Sequence, residues 1–232
     1  MKEPYLIPIE SSLEKQEALV FIDGYLSQEA NQAEDNGHWW WTIRKAGWKG
    51  SIYHLWWDAS EFNTLLQSGL MLGFGAITHW QKHKAQAKKV GIEYAPKLFT
   101  SLPEKTVSLV GFSLGSRVAY YMMRDWSESS VELRDVVLMD GAIRRGNSKD
   151  WGLAVSHITG QLLNIYNSND LVLKTLCKAL ELNRSSCGIK PIKESHSRII
   201  NIDATKAMNT SDHSGGSYRR IFEKAVGRKL WS

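Results

Sequence analysis

Only two cysteines occur in the 232 residues, Cys177 and Cys187, and neither sits in a metal-ligand spacing. That excludes a disulfide scaffold and a cysteine-rich zinc module. The seven histidines are scattered at positions 38, 54, 79, 83, 157, 196 and 213, so neither a metal nor any other cofactor is expected. No glycine-rich stretch ends in Gly-Lys-Ser/Thr, which excludes a phosphate loop for nucleotides. Internal repeats and low-complexity tracts are also missing.

Long apolar runs are lacking as well. The longest stretch without Asp, Glu, Lys or Arg runs from Phe62 to Gln81. Its apolar centre, Gly69 to Ile77, is far shorter than the ~20 residues that cross a bilayer, and a buried helix is expected there, with a membrane-touching element as the second reading. The N-terminal MKEPYLIPIESSLEKQ carries acids early and has no apolar core of signal-peptide length. Sec-type export is therefore not expected. The expected location is the cytoplasm or a membrane surface, with a non-Sec secretion route left open.

Charge is modestly one-sided: 29 basic against 24 acidic residues give a net charge of +5. The basic residues form no continuous arm and no nucleic-acid motif accompanies them, so nucleic acid is not an expected partner. Peripheral contact with an anionic membrane is compatible with the excess. Nothing in the pattern sets an oligomeric state. With 43% hydrophobic and 23% charged residues, the chain has the balance of one soluble globular domain. Its core is expected over about residues 18–226.

Six short apolar runs, rich in Val, Ile, Leu or Tyr, read as buried strands: Ala18 to Asp23, Ser51 to Trp56, Thr106 to Phe112, Asp135 to Met139, Leu162 to Tyr166 and Arg198 to Ile202. Helical segments alternate with them. Gly115 to Trp126 has apolar residues at 118, 119, 122 and 123, and Tyr218 to Leu230 turns Ile221, Phe222, Ala225 and Val226 to one face. Alternation of this kind predicts an α/β fold: a mostly parallel sheet of about six strands with helices on both faces, every parallel strand ending at one edge. Ligands of open α/β sheets bind at that edge.

The strand TVSLVGF runs directly into Gly111-Phe-Ser-Leu-Gly115, and a helical pattern follows at once. Strand, Gly-x-Ser-x-Gly and helix in that order raise the serine on a strained turn, so Ser113 is the candidate nucleophile. A serine hydroxyl needs a base to take its proton, and the base needs an acid to orient it. In such folds the order along the chain is Ser, acid, His. Asp170 follows the strand Leu162 to Tyr166 and is the leading acid. Asp140 follows the preceding strand and is the alternative acid, with Asp203 a weaker third. His213, in the turn-rich SDHSGG, is the candidate base. His157 and His196 precede strands and belong at the opposite edge; the other four precede Ser113. The oxyanion hole is expected from the N–H of Leu114 and, in the loop after the first of these strands, the N–H of Tyr25, with Leu26 next to it.

With these residues assembled, VSLVGFSLGSRVAYY, VVLMDGA, LLNIYNSNDLVL, DHSGGSYR and SIYHLWWDAS resemble an α/β-hydrolase branch that includes eukaryotic transmembrane and coiled-coil domain proteins. The likeness spans about Ala18 to Val226. It implies an α/β-hydrolase fold and Ser113, Asp170 and His213 as a catalytic triad, and, more loosely, lipid or ester hydrolysis. The chain departs from the branch in lacking flanking membrane spans and in carrying Asp140 where an uncharged residue is usual.

Trp39, Trp40, Trp41, Trp48, Trp56, Trp57 and Trp80 crowd the region before the serine. They are read either as core beneath the crossover helices or as part of an aromatic flap or lid over about residues 36–95. The expected activity is an ester hydrolase acting on acyl lipids, in the manner of an esterase, lipase or phospholipase. A non-catalytic binding module and a secreted or injected antibacterial lipase are the alternatives.

Overall fold

The computed structural model describes residues 2–12, 16–24, 32–59, 74–128, 130–180 and 185–231. Seven strands form one sheet: β1 (Tyr5–Glu10), β2 (Glu17–Ile22), β3 (Ser51–Trp56), β4 (Thr106–Phe112), β5 (Glu132–Met139), β6 (Leu162–Tyr166) and β7 (Ile199–Asp203). Their spatial order is β1-β3-β2-β4-β5-β6-β7. All neighbouring pairs are parallel except β1 with β3.

The six parallel strands are those the apolar runs predict. β1 is additional. Its sequence YLIPIE is only half buried and contains Pro8, which a strand tolerates at a sheet edge, where its missing N–H breaks no ladder. The register with β3 slips between Pro8 and Glu10.

Side chains alternate across the sheet and sort into two cores. Ala18, Val20, Ile22, Val107, Leu109, Val136 and Leu138 point to one face, and Leu19, Phe21, Val110, Val137, Met139, Leu163 and Ile165 to the other. The first face is covered by α2 (Phe74–Lys89), α3 (Ala95–Thr100), α4 (Leu114–Arg124) and α5 (Trp151–Ser156). The second carries α1 (Gln32–Lys45) and the C-terminal α8 (Gly215–Phe222), which continues as a wider π-turn to Trp231. Two further helices, α6 (Leu171–Leu180) and α7 (Thr205–Met208), follow β6 and β7.

Burial separates the tryptophans. Trp39 and Trp48 lie in one core and Trp57 and Trp80 in the other; Trp56 is buried with Tyr5 stacked on it, ring centroids 4.9 Å apart. These five indoles are packing residues, as expected of large side chains next to a sheet. Trp40 is half-buried and Trp41 is 58% exposed. Of the helix expected over Gly69 to Ile77, α2 supplies the part from Phe74; residues 69–73 lie outside the described residues. No described helix is long and apolar enough to cross a membrane.

Candidate active site

β4 ends at Phe112 and α4 begins at Leu114, leaving Ser113 to make the whole reversal. Its φ of 53° and ψ of −116° are values a side-chain-bearing residue adopts only under constraint, at a cost of about 1–3 kcal/mol. The constraint is visible. Ser113 N–H donates to Met139 O at 2.9 Å, Ala142 N–H donates to Ser113 O at 3.1 Å, and Ser116 Oγ donates to Gly111 O at 2.7 Å. The end of β5 thus clamps the bend from one side.

The β2 loop presses from the other. A Cβ on Gly115 would stand 2.0 Å from Ile22 O, and one on Gly24 would stand 2.7 Å from Ser113 Cβ. Only glycine lets the two backbones approach so closely. Leu114, the expected oxyanion donor, opens α4 and is buried beside the bend. N–H groups in a first helical turn have no partner inside the helix, and they sit at the positive end of its dipole. Tyr25 and Leu26 lie outside the described residues, although Gly24, which precedes them, touches the serine.

Asp170 and His213, far apart in sequence, are brought to Ser113 by loops that bond to one another. Asn167 Nδ2 donates to Thr210 O at 3.0 Å and Leu171 N–H to Ser211 O at 3.2 Å. Asp170 divides its carboxylate: Oδ1 accepts from Leu173 N–H at 2.7 Å, capping α6, while Oδ2 lies 2.5 Å from His213 Nδ1. A cap of this kind fixes the side chain as well as the helix. His213 Nε2 lies 2.9 Å from Ser113 Oγ, and the ring of Phe112 packs against the imidazole at 5.2 Å. Ser113, His213 and Asp170 therefore form one hydrogen-bonded chain.

The alternative acid stands beside that chain. Asp140 Oδ2 is 3.4 Å from His213 Nδ1 and Asp140 Oδ1 accepts from Tyr218 OH at 2.5 Å. Because β5 and β6 are neighbours, the residues following them reach the same imidazole. Asp140 also holds a positive φ of 45°. Both carboxylates are fully buried. Asp203 is apart from this group: its Oδ1 accepts from Thr205 N–H, at the start of α7. His157 Nδ1 lies 3.0 Å from Met123 O near the far end of α4, and His196 Nδ1 accepts from Arg198 N–H before β7 begins. Sequence reasoning missed Tyr218. Its place in the first turn of α8 is visible in the sequence, but its pairing with Asp140 follows only from the packing of that helix.

Electrostatics follows from burial and charge. Desolvation pushes the Asp140 carboxyl up to about 7, against the opposing pull of His213. For His213, burial alone would favour the neutral ring, but the hydrogen bonds and charges of Asp140 and Asp170 outweigh it and raise the imidazole to about 10. Tyr218 is raised well above its usual value by burial and by Asp140. The ligand atoms of Asp140, Asp170 and His213 lie within 4.8 Å of one another, a grouping that could suggest a metal. Two ligand atoms each about 2.0–2.2 Å from a tetrahedral metal stand more than 3 Å apart, whereas His213 Nδ1 and Asp170 Oδ2 face each other at 2.5 Å as a hydrogen-bonded pair.

The sheet order and the serine at the strand-to-helix bend are those of the α/β-hydrolase fold. A lipase-esterase related protein of Clostridium acetobutylicum superposes with a TM-score of 0.51 at 10% identity, covering 99% of this chain and 98% of that one. Residues 68–224 match the family described as "Protein of unknown function (DUF726)", and the chain belongs to that family. An uncharacterised membrane protein of Caenorhabditis elegans is 30% identical over 125 residues, 52% of this chain and 20% of its own length. A transmembrane and coiled-coil domain-containing protein of Oryza sativa is 27% identical over 147 residues, 62% of this chain and 22% of its own length. The chain thus spans about a fifth of the length of these curated relatives.

Proposed function

We propose that this chain is a serine hydrolase that cleaves carboxylic esters, with Ser113 as nucleophile, His213 as base and Asp170 as the acid that orients it. The observation carrying the reading is the unbroken hydrogen-bonded chain from Ser113 Oγ through both nitrogens of His213 to Asp170 Oδ2. Nucleophile, base and orienting acid stand at the distances this chemistry requires.

Ser113 Oγ adds to the ester carbonyl carbon while its proton passes to His213 Nε2. The carbonyl oxygen becomes an oxyanion, which the Leu114 N–H and the positive end of α4 stabilise. Collapse breaks the bond to the alcohol oxygen, which leaves with the proton held on Nε2, and the acyl group stays on Ser113. Water then repeats the sequence, releasing the carboxylic acid and restoring the serine. Asp170 keeps the proton on Nδ1 throughout, so that Nε2 faces the serine as a base.

The substrate class we assign is acyl lipids. Leu171 and Val172, directly after Asp170 at the head of α6, are 58% and 45% exposed. Together with the net charge of +5, an uncovered apolar step beside the site favours an acyl chain presented at an anionic surface. The test compares short soluble nitrophenyl esters with acyl lipids in micelles and vesicles, using the native chain and Ser113→Ala. Turnover abolished in Ser113→Ala is expected, with higher kcat/KM on the aggregated lipids. An unchanged rate in Ser113→Ala would reject the mechanism, and turnover of soluble esters alone would reject the lipid assignment.

A further inference from the structure

Away from Ser113, four cationic groups converge on one aromatic ring. Arg117, Tyr121 and Arg124 share a face of α4, spaced four and three residues apart. Measured to the Tyr121 ring centroid, Arg117 Cζ lies at 5.0 Å, Arg124 Cζ at 4.9 Å, Lys149 Nζ at 4.9 Å and Lys88 Nζ at 5.5 Å. Lys88 comes from α2 and Lys149 from the short turn before α5, so three separate parts of the chain deliver charge to one place. The phenol oxygen accepts from Lys149 Nζ at 2.8 Å and from Arg117 Nη2 at 3.3 Å.

The ring face attracts each cation by roughly 0.5–2 kcal/mol, but it also gathers like charges that repel one another. Arg124 is matched by a two-pronged pair with Asp125. Among the described residues, neither Lys88 nor Lys149 has a carboxylate within ion-pair distance. The stress shows in the neighbours. Burial, reinforced by Arg117 and Arg124, holds the Lys149 ammonium below its usual value, and Arg117, Lys149 and Lys88 draw the Tyr121 phenol below its own despite burial.

We propose that this cluster is a binding site for a phosphomonoester group, with Lys88, Arg117 and Lys149 as its ligating side chains. A phosphomonoester brings close to two negative charges and three strong acceptor oxygens, which suits one guanidinium and two ammonium groups arriving from three directions. Tyr121, on which the cations converge, lies eight residues beyond Ser113, about 12 Å along the axis of α4, so the cluster is distinct from the serine site.

The group could be carried by a soluble molecule or by a lipid, and the experiment separates the two. Calorimetry with glycerol 3-phosphate probes the soluble form. Sedimentation with phosphatidylcholine vesicles containing either phosphatidic acid or phosphatidylserine probes the lipid form, since only phosphatidic acid presents a phosphomonoester. The native chain is compared with Lys88→Gln/Lys149→Gln, with Lys88→Gln alone and with Ser113→Ala. Loss of two charged hydrogen-bond donors is expected to weaken binding by at least about tenfold. Lys88 is exposed, so its single substitution leaves packing intact and should already show part of the loss; Ser113→Ala should bind as the native chain does. Binding of glycerol 3-phosphate or selective binding of phosphatidic acid, lost in the double variant, supports the site. Absence of both, equal binding of phosphatidylserine, or binding indifferent to the lysines overturns it.

Discussion

Substituting Asp140 by asparagine tests whether the second carboxylate tunes the base. His213 is raised from 6.5 to about 10 by two buried carboxylates acting against desolvation. A base must be free of its proton to accept one from Ser113, so each carboxylate moves the working range toward alkaline pH. Asp170 sits at 2.5 Å and Asp140 at 3.4 Å from the same nitrogen. Asp140 raises His213 through both a hydrogen bond and its charge, as Asp170 does, so its neutralisation lowers the imidazole by about 1–2 units, or about 1.4–2.7 kcal/mol. The amide introduced by Asp140→Asn retains an oxygen able to accept from Tyr218, so the substitution removes charge with little change of shape. The assay is the pH dependence of kcat/KM on a soluble ester, whose acid limb reports the free enzyme's base. The acid limb is expected to move down by about 1–2 pH units with the plateau within a few-fold of native. An acid limb that does not move would show that Asp140 exerts no field on His213. A plateau reduced by about 10³–10⁴ would show instead that Asp140 is the orienting acid.

The converse substitution, Asp170→Asn, should lower kcat by about 10³–10⁴, because an amide favours the wrong tautomer of His213. It should also weaken the α6 cap that Asp170 Oδ1 provides; steady-state kinetics and thermal melts measure the two effects. Stability should depend on pH with a definite sign. Since Asp140 and His213 are both raised on folding, their contributions are full below the unfolded values of 3.8 and 6.5. They fade as pH climbs through about 7 and about 10. The melting temperature should therefore fall between about pH 6.5 and 10, and less so in Asp140→Asn; a rise over that window would contradict the electrostatics. Tyr218→Phe leaves Asp140 Oδ1 without its donor and should cost about 1–3 kcal/mol in chemical denaturation. Leu171→Ser with Val172→Ser should lower activity on vesicles while sparing short soluble esters.

Most of the parallel strands were legible because they are compact, largely apolar runs closed by turn residues, the pattern of strands covered on both faces. β1 was not, because an edge strand with a proline and half its side chains exposed carries little of that signal. Ser113 was legible because its neighbours enforce the bend: Gly111 and Gly115 flank it, and the structure shows how little space Gly115 has beside Ile22 O. The choice between Asp140 and Asp170 was harder. Both follow strands at the same edge, and the closer approach of Asp170 to His213 depends on the contacts Asn167–Thr210 and Leu171–Ser211, which join segments about 40 residues apart with no local signature. The tryptophans illustrate the same limit, since composition does not distinguish an indole filling a core from one on a surface, and five of the seven proved to be filling.

The most direct test of the account is covalent labelling with a fluorophosphonate, followed by mass spectrometry of the intact chain and of its peptides. One adduct on Ser113, absent from Ser113→Ala and strongly slowed in His213→Ala, is the predicted result. A folded native chain that takes up no label, or that takes it up on another residue, would contradict the assignment of Ser113 as an activated nucleophile.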